Sequence, residues 1–428
     1  MSTDEPSPTS RAALQARAGS TILDPLSVEP SEEAALDVSR ELEPGHAPPA
    51  DAGSGARGAG VGEGGSAAGI KSGRLAGLSM GQAIKVMSVP VLCESVLNSL
   101  IGLVDTSVAS HISEGATDAV GGAAYLLWFM GLVTMAIGVG ATGLISRAMG
   151  AGKQAVARAA LGQAMLLAVI GGVLLAVTMW TIAPFMAGVM SMHGAAERDF
   201  VVYIRALCVG MPATTVMFAA IACARGAGDT LRPLRTMLYV NIINFLLCWL
   251  LAVQLGWGVL GIGLGTSIAQ ILGAALIVNF HRLGASGVRL RGMWLRPHRV
   301  TAYRLVRLGL PNFIETFGMW VVNFGTVLMV GWMGAAAMAR ANHASDAAGY
   351  MGAHLLAIRI EAFSFLPGFS MGIAASALCG QYLGAGLPHM ARRAALRCAY
   401  IAAGIMGVCG LGLIFLGQVI VDALGSQP

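Results

Sequence analysis

The chain has 428 residues, of which 56% are hydrophobic and only 11% charged, with a formal net charge of +5 and a mean hydropathy of +0.70. Soluble domains carry about 25% charged residues, so this composition excludes a water-facing globule and defines a membrane protein of packed apolar helices. The 58 glycines suit that class, because helices in lipid approach one another through small residues. The seven cysteines (93, 208, 223, 248, 379, 398, 409) all lie in apolar runs without a C-x-x-C pair, and they read as buried small hydrophobes, not as disulfides or a zinc site.

Residues 1–75 carry eleven acidic and six basic residues, are rich in Pro, Ser, Gly and Ala, and hold no long apolar run. Such a segment cannot offset its ordering entropy by burial, so residues 1–78 are expected to form a disordered tail with no signal-peptide core. A bilayer core needs about 20 apolar residues per helix. Nine stretches qualify, near 84–110, 119–145, 159–190, 200–224, 233–255, 258–281, 303–333, 350–379 and 394–420. The connections after the even-numbered spans hold sixteen Lys and Arg, whereas the others supply Arg198 and Arg340 among several acids. Basic loops stay inside, which predicts a multi-pass protein of the inner membrane with a cytoplasmic N-terminus.

An internal repeat is visible. Residues 141–161 read ATGLISRAMGAGKQAVARAAL, and the chain from 375 reads ASALCGQYLGAGLPHMARRAA, in register at an offset of 234. Upstream, Pro90-x-x-x-Glu94 matches Pro311-x-x-x-Glu315 at an offset of 221. Chance likeness between Gly-rich helices is the alternative; two homologous lobes explain the shared order of features better, and paired repeats are common in secondary transporters. The expected fold is all-α: a six-helix lobe over 79–282, a cytoplasmic linker over 283–302, and a partial second lobe over 303–428.

Ionisable groups inside spans are costly and tend to be functional. Glu94, Asn98 and Asp105 fall on one face of the first span by helical periodicity. A carboxylate there could take up a proton from one side and release it to the other; helix-to-helix hydrogen bonding, or an interfacial Asp105, is the plainer reading. Asn241 and Asn244 share a face of the fifth span, either as cation ligands or as polar glue. In the second half, Glu315 repeats Glu94, and His354 and Glu361 share a face of the eighth span; for each a structural pairing competes with a transport role. Arg205 in the fourth span pairs with a neighbour or snorkels. Pro90, Pro212, Pro311 and Pro367 interrupt helical runs, and Pro90, Pro311 and Pro367 are the candidate hinges.

Gly138-Val-Gly140-Ala-Thr-Gly143 fits G-x-G-x-x-G but has no preceding strand, so close packing explains it better than a dinucleotide site. No ATP-binding signature and no H-E-x-x-H motif appears, and no nucleophile constellation supports an enzyme. An enzyme is therefore not expected, nor a metal centre. The expected partners are a small-molecule substrate and the bilayer, without nucleic acid. The chain is expected to be monomeric, and no cofactor is expected beyond a coupling proton or sodium ion.

Several motifs resemble the multidrug and toxic compound extrusion (MATE) family, nearer its branch of DNA-damage-inducible proteins: LVDT at 103–106, LISRAMGAGK at 144–153, CARGAGDTLRP at 223–233, NIINFLLC at 241–248, GVLGIGLGTSIAQ at 258–270, RLGLP at 307–311 and the run 358–386. The resemblance implies twelve helices in two lobes and export of xenobiotic, often cationic, compounds against proton or sodium entry. It also implies a coupling role for Asp105. Two departures stand out. The family pattern N-x-x-N-x-x-x-D, or with a final Asn, ends here in Cys248, which weakens a sodium site and favours a proton. The second departure is length: the chain stops where a tenth helix is expected, so an inactive truncated remnant is an alternative reading, as is a lipid or polysaccharide flippase of the same superfamily.

Overall fold

The structure is a computed structural model and describes residues 75–425 apart from 191, 193 and 341–344; the side chains of 334–363 and of 416–425 also lie outside the described residues, as do those of 114, 293, 294, 327, 328 and 331. The expected disordered tail thus falls outside the described residues up to position 74. Its last part is packed: Leu75 is buried among Met80, Ile84 and Met87, so ordered chain already includes residues 75–78.

Nine long helices are present among the described residues: α1 (Met80–Ser110), α2 (Glu114–Gly150), α3 (Gln154–Val189), α4 (Ala195–Gly226), α5 (Leu231–Cys248), α6 (Gly258–Arg282), α7 (Arg299–Arg340), α8 (Ser345–Gly384) and α9 (Pro388–Gly425). No strand occurs among them. Local chemistry sets the starts. Ser79 caps α1 in a reciprocal box with Gln82, with N···O distances of 3.3 and 3.1 Å, and Ser113 caps α2 through the Ala116 amide at 3.0 Å. Seven of the nine, all but α7 and α8, are long and apolar enough over their described residues to cross a bilayer.

The first lobe is organised around α4, which packs against α2, α3 and α6 and is the most buried of these spans. One core cluster, with Ile145, Leu161, Met217, Ile221 and Ile277, lies towards the end of the bundle that carries the basic loops. A second, with Leu126, Met179, Phe200, Tyr203 and Ile262, lies towards the opposite end. The second lobe meets the first where α7 and α8 pack on α2 and where α8 packs on α1.

The repeat is reproduced in backbone geometry. After α2, the Lys153 amide donates to Ala148 O at 2.9 Å and the Gly152 amide to Met149 O at 3.1 Å; after α8, Leu387 donates to Tyr382 O at 2.9 Å and Gly386 to Leu383 O at 3.1 Å. Gly152 and Gly386 have φ of 73° and 74°, the left-handed conformation this helix ending requires. The contacts between the lobes are reciprocal as well. A Cβ on Gly150 would strike the Gln381 backbone, and one on Gly384, the repeat mate of Gly150, would strike the carbonyl of Arg147, the repeat mate of Gln381. Ser146 lies against its own mate, Gly380. Contacts that exchange partners in this way mark a local two-fold axis at the α2–α8 crossing.

The linker is not a free strand. The Gln163 side chain on α3 donates to Arg296 O at 2.6 Å and accepts from the His298 amide at 3.0 Å, which ties the chain to the first lobe just before α7.

Candidate functional site

Asp105 lies in the last two turns of α1, 3% exposed, and is surrounded by residues of three other helices. The Tyr203 hydroxyl on α4 donates to its Oδ2 at 2.7 Å. The Thr266 hydroxyl on α6 lies 3.1 Å from both carboxylate oxygens, and the Cys248 thiol at the end of α5 lies 3.7 Å from Oδ1. Asn244, fully buried, donates to Thr266 Oγ1 at 2.8 Å and to Cys248 Sγ at 3.3 Å, while its Oδ1 has no partner among the described residues. Among the described residues, every group that touches this carboxylate is neutral.

The sequence arranges this site by close backbone approach. A Cβ on Gly265 would sit 2.9 Å from the backbone nitrogen and sulfur of Cys248, so only glycine lets α6 bring Thr266 this near α5. Directly after Cys248 the helix widens into a π-helical segment, Trp249–Gln254, a form that recurs at functional sites.

The other expected site residues are distributed differently. Glu94 is buried, but its carboxylate pairs with Arg225 at the end of α4; the Arg225 Nε–Oε2 distance is 3.3 Å, and a second, shorter contact joins the same groups. Eleven residues of helix, about 16 Å, separate it from Asp105. Asn98 is exposed and makes no hydrogen bond among the described residues. The expected single polar stripe is therefore resolved into an ion pair, an exposed amide and a neutral-lined carboxylate. Periodicity gave the angular positions and was silent on the neighbouring helices. Asn244 belongs to the Asp105 cluster, whereas Asn241 turns back to its own helix and donates to Met237 O at 2.8 Å. Glu315 is exposed on α7, and the side chains of His354 and Glu361 lie outside the described residues. Pro90, Pro311 and Pro367 all lie inside continuous helices.

Tyr203 and Thr266 were not singled out from sequence. A buried phenol needs an acceptor, and that need is the one signal that pointed from Tyr203 to a carboxylate elsewhere in the chain.

A second feature lies between the lobes. Phe313, Phe317, Trp320 and Phe324 form a row along α7, with neighbouring ring centroids 5.2–6.1 Å apart, and Phe129 of α2 packs on it 5.2 Å from Trp320. The Trp320 indole donates to Tyr125 O at 3.2 Å.

Two packed helical lobes with a buried carboxylate in the first define a multi-pass, all-helical membrane protein. The MatE family profile matches residues 90–250 and 311–428. The chain belongs to that family. It is 28% identical over 309 residues to the Probable multidrug resistance protein NorM of Thermotoga maritima, covering 70% of this chain and 62% of that protein. It is 27% identical over 226 residues to the DNA damage-inducible protein F of Escherichia coli, covering 50% and 48%. A crystal structure of MATE in the bent conformation superposes with a TM-score of 0.71 at 20% identity, over 80% of this chain and 74% of that one. The chain thus spans under two thirds of the length of these two curated relatives.

Proposed function

We propose that the chain serves as an exporter of amphipathic, predominantly cationic small molecules, driven by proton entry at Asp105 through alternating access of the two lobes, in an inner membrane with the basic loops and the N-terminus on the cytoplasmic side. The observation that carries this reading is the neutral lining of Asp105. An ionised carboxylate buried without a counter-charge is expensive. Tyr203, Thr266 and Cys248 supply hydrogen bonds and no positive charge, so the group must be protonated or hold a cation during the cycle. The thiol of Cys248 is a poor ligand for a hard cation, and three donors already occupy the carboxylate oxygens. Both points favour the proton over sodium.

The carboxylate would shuttle between two states. Protonated, it needs no counter-charge, and α1 rests against α4, α5 and α6; deprotonated, it draws water or a cationic substrate. The multidrug names of the relatives and the aromatic row on α7 support a cationic, ring-bearing substrate over a sugar-linked lipid.

Asp105→Asn preserves shape and removes titration. Dye export measured in inverted vesicles with an imposed pH gradient is expected to fall at least tenfold. Export at the wild-type rate, with unchanged pH dependence, would make Asp105 the wrong group and turn attention to Glu315.

A further inference from the structure

Arg205 on α4 makes no hydrogen bond and no ion pair among the described residues, and its Nε is buried without an acceptor. What it does touch is Trp180 of α3, with the guanidinium carbon 5.3 Å from the ring centroid. The pair lies on the outside of the lobe. Val202, Arg205 and Val209 share one face of α4 by their i, i+3, i+7 spacing, and the two valines are 38% and 59% exposed. On α3, Val177 and Trp180 are 59% and 46% exposed. In a membrane this apolar surround faces lipid.

Depth matters next. Arg205 is ten residues, about 15 Å, from the start of α4 at the end of the bundle away from the basic loops, and the whole helix is about 48 Å long. With a hydrocarbon core of about 30 Å centred on the helix, the Arg205 backbone sits about 6 Å below the boundary. An arginine stem spans that distance, and its head then lies at the level of lipid phosphates. A lone guanidinium at that level needs an anion. One face of the guanidinium is covered by Trp180 and its Nε is buried, which leaves the two Nη groups for a planar, two-pronged contact with non-bridging phosphate oxygens.

We propose that Arg205 and Trp180 form a binding site for the phosphate of an anionic phospholipid, in the leaflet at the sparsely charged end of the bundle. A zwitterionic headgroup carries its own ammonium, which competes for the same phosphate, so a net-anionic lipid such as phosphatidylglycerol is preferred. The site stands apart from Asp105 and does not rest on the export reading.

The test uses the full chain in detergent, with lipid binding followed by native mass spectrometry and thermal unfolding. Phosphatidylglycerol is expected to remain bound and to raise the unfolding temperature by several degrees, phosphatidylcholine to do so weakly, and inorganic phosphate not at all. Arg205→Gln is expected to lower phosphatidylglycerol affinity at least tenfold, while Arg198→Gln, at an exposed position on the same helix, leaves it unchanged. Arg205→Lys keeps the charge for folding and loses the planar fork, so a severalfold loss is expected there even if the Gln variant does not fold. Wild-type lipid affinity in Arg205→Gln or Arg205→Lys would overturn the proposal. An equal response to inorganic phosphate would also overturn it, by making this a site for free anions.

Discussion

Glu94 and Asp105 are the same kind of group on the same helix, and their surroundings assign them opposite tasks. Glu94 is held by Arg225, a mostly buried pair that fastens α1 to the basic end of α4. Removing one partner of such a pair strands the other charge, at a cost of about 3–5 kcal/mol, whereas replacing both is far milder. Glu94→Gln and Arg225→Gln are therefore each expected to lower thermal stability in detergent, and the double variant to recover most of the loss; additive losses would refute a coupled pair. Asp105 was legible in the sequence because an acid in an apolar span has few innocent explanations. Asn244 was legible for a similar reason, as an amide repeated on one face. The partner of Glu94 was not, since Arg225 is distant in the chain and reads as an ordinary basic residue at a loop. Thr266 was hidden in the same way: a threonine in a glycine-rich helix carries no signal until α6 is seen against α1.

At the scale of the element, hydropathy located the nine long helices of the described residues, because length and apolarity are the properties a bilayer selects. It did not reveal what each helix presents. The aromatic row on α7 recurs at three- and four-residue spacing, and in the sequence it is indistinguishable from lipid-facing bulk; only Phe129 across the gap makes it a lining. Stacking of a cation on such rings is worth about 0.5–2 kcal/mol. Trp320→Ala is expected to raise the KM for a planar aromatic cation about twofold to thirtyfold while changing that for an aliphatic ammonium much less. Equal changes for both substrates would mean that Trp320 shapes α7 and does not meet the substrate. The π-helical turns after Cys248 were equally invisible, since the widened hydrogen bonding follows from how α5 and α6 fit together.

For the whole molecule, the basic loops predict that the linker near Arg296 faces the cytoplasm. A reporter fused there is expected to be active only in its cytoplasmic form, and activity on the outer face would reverse the orientation. The repeat was readable because the Gly-Ala-Gly turns demand a left-handed glycine in both halves, which keeps those letters alike while the helices between them diverge. The seam those turns flank has an implication for symmetry itself. At the α2–α8 crossing Ser146 faces its own counterpart, Gly380, and the space on the glycine side is filled by the serine hydroxymethyl group. Two identical chains meeting about such an axis would have to place the same residue on both sides: a pair of serines would collide, and a pair of glycines would leave a gap. One polypeptide that carries both halves escapes this restriction. It can put the knob on one side and the hole on the other, and so close a joint that no homodimer of either half could match.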